Sequence, residues 1–216
     1  MILALSGKKK SGKDTIADFL VKDQNFVKIS LATPLKNLII DVFKIESKYL
    51  NDDSLKDKEL PEFITIDYEH IDKIRQIVSE NWGFPIDYEA REKLESFYGT
   101  EIKTPRKLMQ TIGTDMLRNH IRDDIFIVLL AQALKEACQP VVIPDARLQN
   151  EREFLKKIGA VMAIVKRHNP QEKADDHISE NDLGKEDDYD LVIENNIELG
   201  QLRSEINLWY TITHKK

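Results

Sequence analysis

Apolar and polar positions along this 216-residue chain follow two recurring patterns: short unbroken apolar runs, and longer segments with apolar residues every three or four positions. The first pattern reads as buried strands and the second as helices packed on them. Ile2-Leu3-Ala4-Leu5-Ser6 opens the chain as a strand, and residues 14–22 follow as a helix. Phe26-Val27-Lys28-Ile29-Ser30-Leu31 alternates well enough for a second strand. Pro34 suits the first turn of a helix reaching residue 43, with Leu35, Leu38, Ile39 and Val42 on one face. Pro105 opens another helix through residue 112, followed by Gly113-Thr114-Asp115 and then a further helix. Residues 123–137 carry Ile127, Leu130, Ala131 and Leu134 at helical spacing, and Gln139-Pro140 ends them. Val141-Val142-Ile143-Pro144-Asp145 then reads as a central strand with Asp145 at its carboxyl end. A helix over 147–158 stops at Gly159, a good residue to follow a helix end. Residues 160–166 and Leu191-Val192-Ile193 complete the strands before a terminal helix over 198–209.

Strands alternating with helices predict an α/β fold whose parallel sheet is covered on both faces. Residues 1–43 and 105–216 form the expected core. Between them, residues 44–104 are charged, aromatic-rich and without a strong strand, which predicts a mainly helical insertion on the substrate side. Residues 167–189 are polar and suit a mobile, lid-like cover within the core, or an idle surface loop.

The first turn of the chain carries the sharpest chemical signal. Gly7-Lys8-Lys9-Lys10-Ser11-Gly12-Lys13 has the G-x-x-x-x-G-K spacing of a phosphate-binding loop, placed between a strand and a helix. A polyphosphate needs several donors converging on it, and a loop entering a helix N-terminus supplies backbone N–H groups and a favourable dipole end. Gly7 and Gly12 permit the backbone geometry, and Lys13 reaches the β- and γ-phosphates as a point charge. Asp14 stands where such loops usually carry Ser or Thr, and Thr15 follows. Thr15 is thus left to orient Mg²⁺ through water or to contact an α-phosphate. The loop is expected to be exposed, so that Lys13→Ala removes its chemistry while leaving the fold largely intact.

Bulk properties narrow the alternatives. A net charge of −6 argues against a general nucleic-acid binder, and the Lys8–Lys10 cluster is better explained by bound phosphate. No apolar run approaches membrane-spanning length, and the N-terminus lacks the order of a signal peptide. The lone Cys138 excludes an intrachain disulfide. The expected compartment is the cytosol, and the oligomeric state, monomer or homodimer, is left open.

In an open parallel sheet, ligands gather at the carboxyl ends of the strands. The loop at 7–15, the turn at 32–36, Asp145 to Arg147 and the turn at 194–196 all qualify. Asp145 is suited to organise Mg²⁺, or to cap the next helix. Arg147 offers a bidentate guanidinium for phosphate, and Arg106, Lys107, Arg118 and Arg122 add positive charge. There is no G-x-S-x-G elbow, no H-E-x-x-H and no Cys–His pair at ligand spacing.

Together these residues resemble the bacteriophage-type deoxynucleoside monophosphate kinases. The likeness runs through Leu5-Ser6-Gly7 with Lys10-Ser11-Gly12-Lys13-Asp14-Thr15; Pro34-Leu35-Lys36; Arg106-Lys107-Leu108-Met109-Gln110 with Gly113-Thr114-Asp115; Val142-Ile143-Pro144-Asp145-Ala146-Arg147; and His177-Ile178-Ser179-Glu180. The resemblance implies the three-layer fold of phosphate-loop NTPases with about five parallel strands, ATP as phosphoryl donor, Mg²⁺, and a deoxynucleoside 5′-monophosphate as acceptor. It further implies that Gly7, Ser11, Gly12, Lys13, Asp14 and Thr15 bind donor phosphates, and that Lys10 sits near donor and acceptor alike. Asn195 and Asn196 would lie by the adenine, Asp145 would organise Mg²⁺ through water, and Arg147 would stabilise the transferred charge. Lys36, Arg106, Lys107, Gly113, Thr114 and Phe126 would serve the acceptor, with His177 and Glu180 lining the cover. Phe126 stands where relatives are expected to carry a larger aromatic. Two rivals stay open: a related small-molecule kinase, such as a phosphomevalonate or dephospho-coenzyme A kinase, and a non-kinase ATP-binding switch.

Overall fold

The computed structural model of the chain describes residues 1–167 and 183–214. They form two compact units, Met1–Leu31 with Leu130–Lys216, and Ala32–Leu129.

The first unit is built on a five-stranded sheet in which every pairing is parallel. Its strands are β1 (Ile2–Ser6), β2 (Val27–Lys28), β5 (Val141–Ile143), β6 (Val161–Lys166) and β7 (Leu191–Glu194), in the order β2-β5-β1-β6-β7. β1 is therefore central, with Ala4 opposite both Ile143 and Met162. Leu3, Ala4 and Leu5 are all buried, as a strand covered on both faces requires. Helix α1 (Lys13–Gln24) and the C-terminal helix (Leu199–His214) pack together on this sheet. Ile16, Ala17 and Leu20 from one and Leu202 and Ile206 from the other share a core with Leu3, Leu5, Val142, Ala163 and Val165. The two helices are also tied at the rim. Arg203 forks onto both carboxylate oxygens of Asp23, and Asn207 donates to the same group at 2.9 Å.

The second strand is shorter than its alternation predicts. Only Val27 and Lys28 pair with β5, and the Ile29 N–H adds one more bond, to the Val142 carbonyl. β5 ends at Ile143, and Pro144 has no N–H to continue a ladder. Ser30 and Leu31 turn to Asp145 instead.

The second unit is largely helical. It comprises α2 (Thr33–Phe43), α3 (Ser47–Asn51), α4 (Tyr68–Gln76), α5 (Tyr88–Glu95), α6 (Pro105–Gln110) and the start of α7 (Ile125–Glu136). A two-residue antiparallel ribbon, β3 (Ile64–Thr65) with β4 (Glu101–Ile102), lies among them. Asp67, Asp87 and Thr104 cap α4, α5 and α6 by accepting N–H bonds from His70, Ala90 and Lys107. Leu35, Leu38, Ile39 and Val42 are buried, as the spacing on α2 predicts. The break expected at Gly113-Thr114-Asp115 does not occur: α6 runs on as a π-helical stretch, Thr111–Arg118. Gly113 is buried there because a Cβ would stand 2.6 Å from a Leu35 methyl. Its missing side chain thus serves the contact with α2 rather than a turn. Helix α8 (Gln149–Lys157) returns to the first unit and ends at Gly159 with φ 78°, the left-handed geometry expected of that glycine.

Candidate active site

β1 delivers the phosphate loop at its carboxyl end, and α1 begins at Lys13. Gly7 has φ 143° and Gly12 φ 101°, values that side chains disfavour. A Cβ on Gly7 would lie 2.4 Å from the Val165 carbonyl oxygen of β6, so the loop leaves the sheet by passing directly over its neighbour. Lys10, at the tip, is exposed and holds φ 62°, a left-handed turn of a kind concentrated at functional sites.

Contrary to the expected exposure, much of the loop is buried, with Ser11 at 3% and Lys13 at 5%. The Lys13 ammonium donates to the carbonyls of Gly7 and Lys8, both at 2.6 Å, and lies 3.4 Å from the Ser11 hydroxyl. A charge facing loop carbonyls in a confined space holds the loop in shape. Asp14 is exposed and forms an ion pair with Lys28 at 2.8 Å. Thr15 is half-buried in the first turn of α1.

The turn after β5 is held at each of its three residues. The Asp145 carboxylate accepts from the Ser30 hydroxyl at 2.5 Å and the Leu31 N–H at 3.0 Å. The Ala146 carbonyl accepts from the buried Ser6 hydroxyl at 2.5 Å. Glu151, 4% exposed, takes the N–H groups of Arg147 and Leu148 at 2.9 and 3.0 Å. Arg152, 6% exposed, donates to the Arg147 carbonyl. Buried charges demand such partners, and here they lock the backbone that carries Arg147. Glu three residues after a helix cap is half of a known capping signature, so Glu151 had a legible signal. Ser6, Ser30 and Arg152 had none in the sequence.

Asn195 and Asn196 follow β7 but differ in surroundings. Asn195 is 8% exposed and its amide donates to the Ser11 carbonyl at 2.7 Å. Asn196 is exposed and donates to Glu194 at 3.3 Å.

In the second unit, the Lys36 ammonium donates to Asn51 at 3.0 Å. Arg106 forks onto Asp57 and its N–H donates to the Lys56 carbonyl. Lys36 thus meets the last residue of α3, and Arg106 the segment that follows it. Lys107 is exposed and lies 3.5 Å from Asp115. Thr114 is half-buried beside Gly113, whose open side faces Leu35. Phe126 is 3% exposed, with the Arg118 guanidinium 4.9 Å over its ring and Trp82 edge-on at 6.4 Å. Arg118 also donates to the Asp123 carbonyl, and Arg122 forks onto Asp124. Trp82, half-buried, is the aromatic neighbour the sequence did not single out. His177 and Glu180 lie outside the described residues. Among the described residues, no cluster of His, Cys, Asp and Glu is arranged to hold a metal by itself, and no helix is long and apolar enough to cross a membrane.

Among known proteins, the chain is 29% identical over 238 residues to the deoxynucleotide monophosphate kinase of Enterobacteria phage T4, covering 95% of this chain and 96% of that one. It is 30% identical over 242 residues to that of Escherichia phage RB69, covering 95% and 97%. A solved dephospho-CoA kinase from Campylobacter jejuni aligns over 100% of this chain and 98% of its own, with a TM-score of 0.48 and 12% identity. The family model for deoxynucleotide monophosphate kinase matches residues 1–77 and 73–206. With phosphate loop, strand-end aspartate and arginine turn in one unit and the match spanning nearly the whole chain, this protein belongs to the deoxynucleotide monophosphate kinase family.

Proposed function

We propose that the protein transfers the γ-phosphoryl group of ATP to the 5′-phosphate of deoxynucleoside monophosphates, giving the diphosphates. The observation that carries this reading is the Lys13 ammonium, buried among its own loop carbonyls at the end of the central strand. Such a cradle suits a polyphosphate, and the phage relatives are named for the acceptor.

The acceptor phosphate is ionised near neutral pH, so the reaction needs no general base. It needs in-line positioning of two anions that repel each other, and cations placed where charge develops. In this reading Lys13 and the loop N–H groups hold the donor phosphates, and Lys10 neutralises charge near the transferring group. Arg147, on a backbone clamped by Glu151 and Arg152, stabilises the transition state. Lys36, Arg106 and Lys107 attract the acceptor phosphate, and Thr114, Phe126 and Trp82 belong to its surroundings.

The donor set fits Mg²⁺ bound through water. Asp145 is a carboxylate oriented by two protein donors at a strand end, and Thr15 supplies a hydroxyl in the first turn of α1. When bound, Mg²⁺ would neutralise β- and γ-phosphate charge. Asp14, paired with Lys28, contributes through its backbone rather than its carboxylate.

The test is ADP formation from ATP and Mg²⁺ with each deoxynucleoside monophosphate, the ribose counterparts, phosphomevalonate and dephospho-coenzyme A. Turnover with a deoxynucleotide is expected; turnover only with another acceptor would replace the substrate. Arg147→Ala is expected to lower kcat far more than it weakens ATP binding, and equal losses would make Arg147 a ground-state anchor.

A further inference from the structure

We infer that Asn195 is a positioning residue of the phosphate loop, acting on the polyphosphate of the donor and not on its base. The inference rests on the donor-site reading given above.

Asn195 stands at the carboxyl end of β7, the edge strand, and is separated from Ser11 by 184 positions. Its backbone N–H donates to the Lys166 carbonyl at 2.7 Å, which seats it on β6. Its side-chain amide then crosses to the Ser11 carbonyl at 2.7 Å, and the residue is 8% exposed. A trans peptide is planar, with its C=O and N–H pointing in opposite directions. Holding the Ser11 carbonyl therefore aims the Gly12 N–H away from Asn195. That N–H is one of the donors a phosphate loop offers at a helix N-terminus.

Gly12 shows how tightly the amide is seated. A Cβ at Gly12 would stand 2.2 Å from the Asn195 amide nitrogen, so the glycine makes room for Asn195 as well as for its own φ of 101°. The Lys13 ammonium meanwhile approaches the Ser11 hydroxyl at 3.4 Å. Ser11 is thus held at two groups: its hydroxyl by Lys13, its carbonyl by Asn195. An amide committed to the loop and buried against Gly12 has an N–H turned to protein, whereas its neighbour Asn196 is exposed and donates to Glu194.

The test is equilibrium binding of ATP, GTP and inorganic tripolyphosphate, each with Mg²⁺, to the full chain, Asn195→Ala and Asn195→Asp. Measurements are made well below each variant's Tm. Asn195→Ala is expected to weaken all three ligands by a common factor of about ten, the loss of one hydrogen bond's worth of orientation. Asn195→Asp is expected to weaken them more, because a carboxylate cannot donate to Ser11 and repels phosphate. If Asn195→Ala fails to fold, Asn195→Ser, whose hydroxyl is too short to reach Ser11, is judged by the same pattern. A loss confined to ATP, with GTP and tripolyphosphate unchanged, would make Asn195 a base contact and overturn the inference. Unchanged binding in the variants would overturn it equally. A wild-type chain that binds neither nucleotide nor tripolyphosphate would remove the donor-site reading itself, and the inference with it.

Discussion

Replacing Glu151 by Ala isolates the structural support of Arg147. The Glu151 carboxylate is 4% exposed and accepts the N–H groups of Arg147 and Leu148, the cap residue of α8. Leu148 has no side-chain acceptor of its own, and the Glu151 carboxylate serves both N–H groups from the first turn of α8. Hydrogen bonds to a charged acceptor contribute about 1.5–3 kcal/mol each, and water entering the vacated space restores part of that. A net loss of about 2–4 kcal/mol follows, which for a chain of this length lowers Tm by roughly 5–15 °C. Glu151→Gln keeps the shape and an acceptor oxygen, and is expected to cost about 1 kcal/mol. The assay is thermal unfolding followed by circular dichroism, paired with kcat measured well below the lower Tm. The expected result is a graded series, wild type above Gln above Ala, with kcat falling alongside because Arg147 loses its backbone anchor. An Ala variant melting within a degree of wild type would refute the energetic argument. A large drop in Tm with kcat intact would refute the link to Arg147.

Lys13→Ala is expected to lower turnover by roughly a hundredfold or more. Because the ammonium also holds Gly7 and Lys8, Tm should fall too, contrary to what an exposed loop would give; an unchanged melting curve would reject that structural role. Gly113→Ala forces a methyl onto Leu35 and is expected to cost about 1–3 kcal/mol. Adding Leu35→Ala should recover part of that cost, and strictly additive losses in the double variant would show that the two side chains do not meet. The Arg203 guanidinium, and then Asn207, hold the Asp23 carboxyl well below the usual carboxylate range. The contribution of this group to stability is therefore complete above about pH 4, near the unfolded value, and is lost as the pH falls toward the folded one. Tm measured from pH 6 to pH 3 should fall less steeply for Asp23→Asn than for wild type, and parallel curves would remove Asp23 from the acid response.

Features governed by near neighbours were legible in the chain. Strand β1 is set by four consecutive apolar residues, and the phosphate loop by glycines and a lysine at fixed spacing. Gly159 ends α8 because a left-handed residue is needed there, a constraint that acts within a few positions. The parallel sheet followed from the alternation of strands and helices, since parallel neighbours require crossovers. Tertiary structure decided which distant groups meet. Ser6 reaches Ala146 across 140 positions, Ser30 reaches Asp145 across 115, and Asn195 reaches Ser11 across 184. Those contacts depend on strand order and register, which place the carboxyl ends of β5, β1, β6 and β7 side by side and which no local pattern encodes. The same holds for Gly113 and Phe126. Gly113 was expected to interrupt two helices and Phe126, by resemblance, to serve the acceptor, but burial is settled by what packs against a residue, here Leu35 for one and Arg118 with Trp82 for the other. By itself, then, the sequence determined the phosphate chemistry and the class of fold, because both are written in short-range spacing. The tertiary structure alone decided how the backbone of the candidate site is held still, because rigidity comes from partners that the chain brings together only on folding.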